Sequence, residues 1–166
     1  MADQNHLFPI LSLKELHGLE KEFIQYLAMS GIEAKEWETI KKEQPKKMGE
    51  MLLDFSQGVW KSRLSKINYI NHLDENLMYA IHFLKEEAII IGLRGEVDFK
   101  QWMDYNFKQL STAIKDNLDK LSIFKELKKF QPDNRALEIY KHLKAGARIS
   151  VEGDLYEILK TLSNGS

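Results

Sequence analysis

The stretch from Ile67 to Leu93 constrains this chain most. Its β-branched and aromatic residues fall into three short runs, divided by Asp74-Glu75-Asn76 and by Lys85-Glu86-Glu87. Runs of this length, broken by charged and turn-forming residues, predict an antiparallel meander of three strands. With turns centred on Glu75 and Glu86, the odd-numbered side chains Ile67, Tyr69, Leu73, Leu77, Tyr79, Ile81, Phe83, Ile89, Ile91 and Leu93 share one face, the core face. The other face then carries Asn68, Ile70, His72, Met78, Ala80, His82, Ile90 and Gly92, a mixture suited to partial wetting or to a partner. Leu77, Ile81, Leu84 and Ala88 also fit a helical period, so a buried helix from Asp74 onward is the competing reading.

Helical patterns flank this stretch on both sides. Ser12 followed by Glu15 forms the Ser-x-x-Glu capping pattern, and Leu13, Leu16, Leu19, Phe23, Ile24 and Leu27 follow as one stripe. Gly31 ends that helix in a left-handed cap, with Ile32 folding back onto the stripe. A second helix is expected from Glu33 to about Glu43, burying Ala34, Trp37 and Ile40. A third runs from Pro45 to about Leu64, with Met48, Met51, Leu52, Phe55, Val59 and Trp60 inward.

Beyond Asp98, a helix cap, the stripe Phe99, Trp102, Met103, Phe107, Leu110, Ile114, Leu118 and Leu121 predicts a long helix. Continued to Phe130 it would measure ~50 Å, against a radius of gyration of ~15 Å for a compact domain of this size. It must therefore break, with Ser122 as the next cap, or project as a dimer arm. Pro132 and Asp133 open another helix that stops at Ala145-Gly146, Arg148 to Val151 can add an extended piece to the sheet, and a last helix runs from about Gly153 to Leu162. The expected fold is α+β, six or seven helices packed on a small three-stranded antiparallel meander. It forms a single domain, 1–166, helical over 12–64, β over 67–93 and helical over 98–162.

Composition excludes several chemistries. The chain has no Cys among its 166 residues, which removes disulfides, thiolate metal sites and cysteine nucleophiles. Its net charge of −1 points to no particular partner. The first eleven residues lack the charged flank and apolar core of a signal peptide, and no apolar run approaches the ~20 residues that span a bilayer, so a cytoplasmic protein with no membrane partner is expected.

Leu13, Leu16, Glu22, Phe23, Ile24, Leu27, Ala28, Gly31, Ile32, Ala34 and Trp37 together resemble the opening of a family of small uncharacterised proteins from Bacteroidetes-type bacteria. The likeness continues through Asp54-Phe55-Ser56, Tyr69 and His72 to Ile91-Gly92-Leu93, roughly the first 95 residues. The resemblance implies no catalytic motif, and the shared positions look like caps, turns and core.

Histidines stand at positions 6, 17, 72, 82 and 142. The meander as drawn above puts His72 and His82 on its mixed face, with Asp74 as the nearest carboxylate, and these three form the candidate ligand-binding site. Neither a metal nor a cofactor is expected. Glu138 with His142, and His17 with Glu20, have spacings used by metal sites but far more often by ordinary helix-surface pairs. No nucleophile elbow or phosphate-loop pattern occurs, and Gly92-x-x-Gly95 reads as a turn. Lys41, Lys42, Lys46 and Lys47 make the best basic patch, diluted by Glu36, Glu38, Glu43 and Glu50, so nucleic acid ranks last among partners. The apolar stripe from Trp102 to Phe130 is too long for one small domain to cover, which makes Trp102, Met103, Phe107, Phe124 and Phe130 a candidate interaction surface. The leading expectation is a non-catalytic interaction or adaptor domain that self-associates as a two-fold dimer. The alternative is a small enzyme or ligand-binding protein around His72 and His82.

Overall fold

The computed structural model describes residues 8–165, which divide after Arg63 into two compact units. In the first, α1 (Leu13–Gly18) and α2 (Glu20–Met29) replace the single predicted helix, with the break at Leu19. The expected capping box at Ser12 is present: its hydroxyl accepts from the Glu15 amide, and the Glu15 carboxylate accepts from the Ser12 amide. Gly31 adopts φ +73°, and the Ile32 amide donates to the Leu27 carbonyl, the wrap-around cap that the glycine allows. Following α3 (Ala34–Glu43) is α4 (Pro45–Ser65), whose end runs past the division.

Leu27, Ile40 and Met51 form a small core, with Phe23, Trp37 and Ile32 packed against it. The segment before α1 is pinned to α4 by buried polar side chains rather than by apolar contact alone. Gln57 accepts from the Phe8 amide at 2.8 Å and donates to its carbonyl at 2.6 Å, while the Ser56 hydroxyl accepts from the Leu11 amide. Extended backbone thereby finds partners where secondary structure supplies none. Tyr26 donates to Asp54 at 2.8 Å, and burial together with that carboxylate pushes its phenol up to about 12.

The second unit is built on an antiparallel sheet of β1 (Tyr69–Leu73), β2 (Glu75–Phe83), β3 (Glu87–Asp98), β4 (Leu121–Lys129) and β5 (Arg148–Ser150), in the order β4-β3-β2-β1-β5. The expectation of a three-stranded meander is corrected to five strands. β5 adds to the sheet where an extended piece was expected. β4 comes from the segment expected either as a separate helix capped by Ser122 or as the projecting end of one long helix; the expected break exists, but a strand follows it and not a helix. Phe99–Trp102 is a single 3-10 turn, α5 (Phe107–Asp116) is separate, and the chain then enters β4 after a short turn at Leu118–Lys120. α6 (Arg135–Lys144) and α7 (Asp154–Asn164) complete the unit.

Strand register differs from the expected one by a single residue at both hairpins. Tyr69 lies opposite His82 and His72 opposite Tyr79, while Ile81 lies opposite Ile90. The physical cause is turn length. Asp74 to Leu77 forms a four-residue turn, closed by the Asp74 amide on the Leu77 carbonyl, with Asn76 at φ +63°. The second is a two-residue loop between Leu84 and Glu87. Even-membered loops replace turns centred on one residue, so β2 is flipped while β1 and β3 keep their predicted faces. The core face therefore carries Tyr69, Leu73, Met78, Ala80, Ile89, Ile91 and Leu93, and Phe99, Trp102, Leu110, Ile114, Leu155 and Leu159 cover it from the 3-10 turn, α5 and α7. The second face gains Tyr79, Ile81 and Phe83 and is far more apolar than expected.

α6 is fastened on that second side. Arg135 donates to the carbonyls of Ile67, Phe83 and Leu84 at 2.8, 3.1 and 2.9 Å, and Lys128 of β4 meets Glu138 at 2.6 Å. Gly92 lies in β3 with the Phe124 ring of β4 above it. A Cβ at Gly92 would meet Phe124 Cζ at 2.3 Å and the Met78 carbonyl oxygen at 2.7 Å, so only glycine admits the ring there.

Candidate functional site

The flip of β2 decides the histidine site. Residues opposed across a ladder share a face, so His72 lies with Tyr79 on the second face, and His82 lies with Tyr69 on the core face. The sheet separates the two histidines that were expected to converge. His72 stacks on Tyr79 with ring centroids 5.0 Å apart, and its Nε2 is 3.7 Å from Asp74. Of the three candidate ligand-binding residues, His72 and Asp74 are thus neighbours and His82 is not. Asp74 faces Lys100 and accepts from the Glu75 amide, and the amide above all, with Lys100 and His72, holds its carboxyl below the ordinary value.

His82 stacks on Tyr69 at 4.4 Å and meets Tyr156 of α7 edge-on at 5.2 Å. Burial among these rings lowers its pKa, opposed by the charge of Glu157 and assisted by Lys160 and Arg135. His142, beside Phe83, is lowered for the same first reason. An imidazole that resists protonation in the folded chain takes up protons more readily when unfolded. Stability therefore rises with pH across the interval between the lowered folded value and the ordinary ~6.5, is complete above it, and is lost as pH falls through it. The urea midpoint of the wild type should decrease from pH ~7 towards pH ~5, and His82→Phe, which keeps the ring stack, should flatten that decrease. A parallel pH dependence in wild type and variant would show that His82 does not contribute.

The predicted interaction residues divide. Trp102 is buried at 6 % exposure, packed edge-on against Phe99. Phe124 and Phe130 are half-buried, Phe124 beneath the Arg94 guanidinium at 4.4 Å. Met103 and Phe107 are exposed, and so are Leu118 of the same predicted stripe and Ile123 and Leu127, which were not among the candidate surface residues. The missed signals were Asn106 with Gln109, a reciprocal capping pair that starts α5, and the alternation Leu121, Ile123, Leu127, which has the strand period.

β4 is a nine-residue strand at the sheet's edge, hydrogen-bonded to β3 alone. Its core-side residues Leu121 and Ile123 line an open cleft of about 320 Å³ with Leu93, Leu118 and Leu162. A second apolar groove of about 210 Å³, lined by Phe107, Ile114 and Ile158, shares Thr161 and Leu162 with it. An apolar band thus runs from α5 to the free edge.

A family model described as a family of unknown function, DUF6495, matches residues 8–164. The chain belongs to that family. The match extends past the first 95 residues to the end of α7. No curated protein and no solved structure matches. Among the described residues of this DUF6495 chain, no group of three or more His, Asp or Glu could hold a metal ion, and no helix is long and apolar enough to cross a membrane. His6 lies outside the described residues. The lysines at 41, 42, 46 and 47 sit on the exposed end of α3 and first turn of α4, with Lys41 paired to Glu38 at 2.7 Å.

Proposed function

We propose that this DUF6495 chain is a non-catalytic interaction domain that self-associates through the apolar band ending at β4. The observation that carries this reading is the pairing of an open strand edge with exposed Ile123 and Leu127, 40 % and 57 % accessible, beside an apolar cleft. An edge of this length with apolar side chains is what soluble proteins avoid unless something covers it. The reading places the domain in the bacterial cytoplasm, in keeping with its lack of cysteine and with the resemblance of its first helices to bacterial proteins.

The test is light scattering behind size exclusion across a concentration series. The weight-average mass should rise from 19.4 kDa towards twice that value in the high-micromolar range. A mass that stays at 19.4 kDa up to solubility refutes self-association.

A further inference from the structure

β4 carries enough information to say how a second copy would meet it. This step rests on the self-association reading and specifies its geometry. The Phe130 amide donates to the Glu86 carbonyl in continuation of the β3–β4 register. That bond fixes the phase of the ladder: even-numbered residues of β4 turn their peptide groups towards β3. Leu121, Ile123, Lys125, Leu127 and Lys129 therefore present N–H and C=O at the open edge.

A two-fold axis normal to the sheet keeps each face on its own side, so odd residues must oppose odd and even oppose even. Few registers remain, and charge together with paired length separates them. An axis at Lys125 sets Lys125 against its own copy and brings Lys128 of the second copy opposite Ser122, next to Arg94. An axis at Glu126 opposes the two Glu126 carboxylates. An axis at Ile123 also opposes no like charges within the strand but pairs only residues 121–125, whereas an axis at Phe124 opposes none and keeps residues 121–127 paired. In that register Ile123 lies opposite Lys125 of the second copy, Leu121 opposite Leu127, Ser122 opposite Glu126, and Phe124 opposite Phe124.

Two further complementarities appear only there. Arg94 is the β3 neighbour of Ser122, so Glu126 of the second copy faces Arg94 across a small side chain, about 10 Å away at the backbone and within reach of two long side chains. On the core side, exposed Leu127 of the second copy comes to Leu121 at the lip of the cleft formed with Leu118, Ile123 and Leu162. Protrusion and cleft lie on one strand, so the surface is complementary to itself. We propose that two copies of this chain pair antiparallel through β4 about a two-fold axis at Phe124, joining their sheets into one and exchanging Glu126–Arg94 contacts.

The absence of cysteine makes the register directly readable. Ser122→Cys mixed with Glu126→Cys should give an oxidised mixed dimer, because opposed non-hydrogen-bonded pairs approach to ~4.5 Å between Cα atoms, while either variant alone should not cross-link. Both positions are exposed, so neither change threatens the fold. Arg94→Glu and Glu126→Arg should each weaken the dimer, by about tenfold or more, and the double variant should restore it. Leu127→Lys, which enters the interface twice, should weaken it by on the order of 100-fold. A dimer by light scattering that shows neither the mixed cross-link nor the charge-swap rescue overturns this register and leaves self-association standing. A monomer at every concentration, with no cross-link, overturns both.

Discussion

Phe99→Ala should be among the most damaging single changes in the second unit, lowering its stability by about 3–5 kcal/mol. Phe99 is wholly buried, packs edge-on against Trp102 with ring centroids 5.2 Å apart, and belongs to the cluster that joins the core face of the sheet to α5 and α7. Its backbone is in a 3-10 turn whose Lys100 amide donates to the Asp98 carboxylate at 3.1 Å and whose Phe99 amide donates to the Asp74 carbonyl at 3.2 Å. A turn this short contributes little by itself, so the ring is what anchors the segment between β3 and α5. Urea unfolding followed by Trp fluorescence measures the effect, and the melting temperature should drop by on the order of 10 °C. Phe99→Leu should keep more than half of the lost stability. A loss below about 1 kcal/mol for the alanine variant would mean that the cavity collapses and that Trp102 holds the turn without its neighbour.

The same residue shows how far the sequence could be read. Asp98 as a cap follows from pattern and is found so, whereas Trp102, expected on the interaction surface, is buried beside Phe99. Periodicity could not reveal that the stripe they begin is interrupted, because Leu110 and Ile114 continue the same spacing on a different element. In Leu121 to Lys129 the apolar residues fit both a helical and a strand period. The unpaired length of β3 resolves the ambiguity, since its amides and carbonyls from Glu87 to Gly95 need partners and β4 supplies them. That requirement is tertiary and has no local signature. Ser12, Gly31 and the course of α4 were legible because caps and glycines act within a few residues. The histidine pair was not. One residue of turn length, set by Asn76 in a left-handed conformation, moved His82 to the opposite face of the sheet from His72. The exposed surface was only half legible: Met103 and Phe107 are where the stripe put them, whereas Ile123 and Leu127 gain their meaning from an edge that the helical reading did not contain.

Arg135→Met should cost about 2–4 kcal/mol, although Arg135 opens α6, a place where an arginine ordinarily faces solvent. Its guanidinium serves the carbonyls of Ile67, Phe83 and Leu84 and lies 3.3 Å from Asn68 Oδ1, so it ties the residues before β1 to the end of β2. Burial lowers its pKa, which states the same fact from the other side: the charge is partly withdrawn from water and depends on those carbonyls. Methionine fills similar volume but offers no donor, leaving part-buried oxygens without a partner. Arg135→Lys should recover only part of the loss, because one ammonium cannot reach carbonyls spread around a planar fork. Amide exchange separates this from a loss of helix packing. If the guanidinium holds the strand ends, Phe83, whose amide donates to the Asn68 carbonyl, exchanges faster in Arg135→Met while the centre of β2 at Ala80 keeps its protection relative to global unfolding. Equal acceleration at both positions would assign the effect to α6 as a whole. Unchanged stability would mean that water replaces the guanidinium at all three oxygens, and the half-buried setting of this residue argues that it cannot.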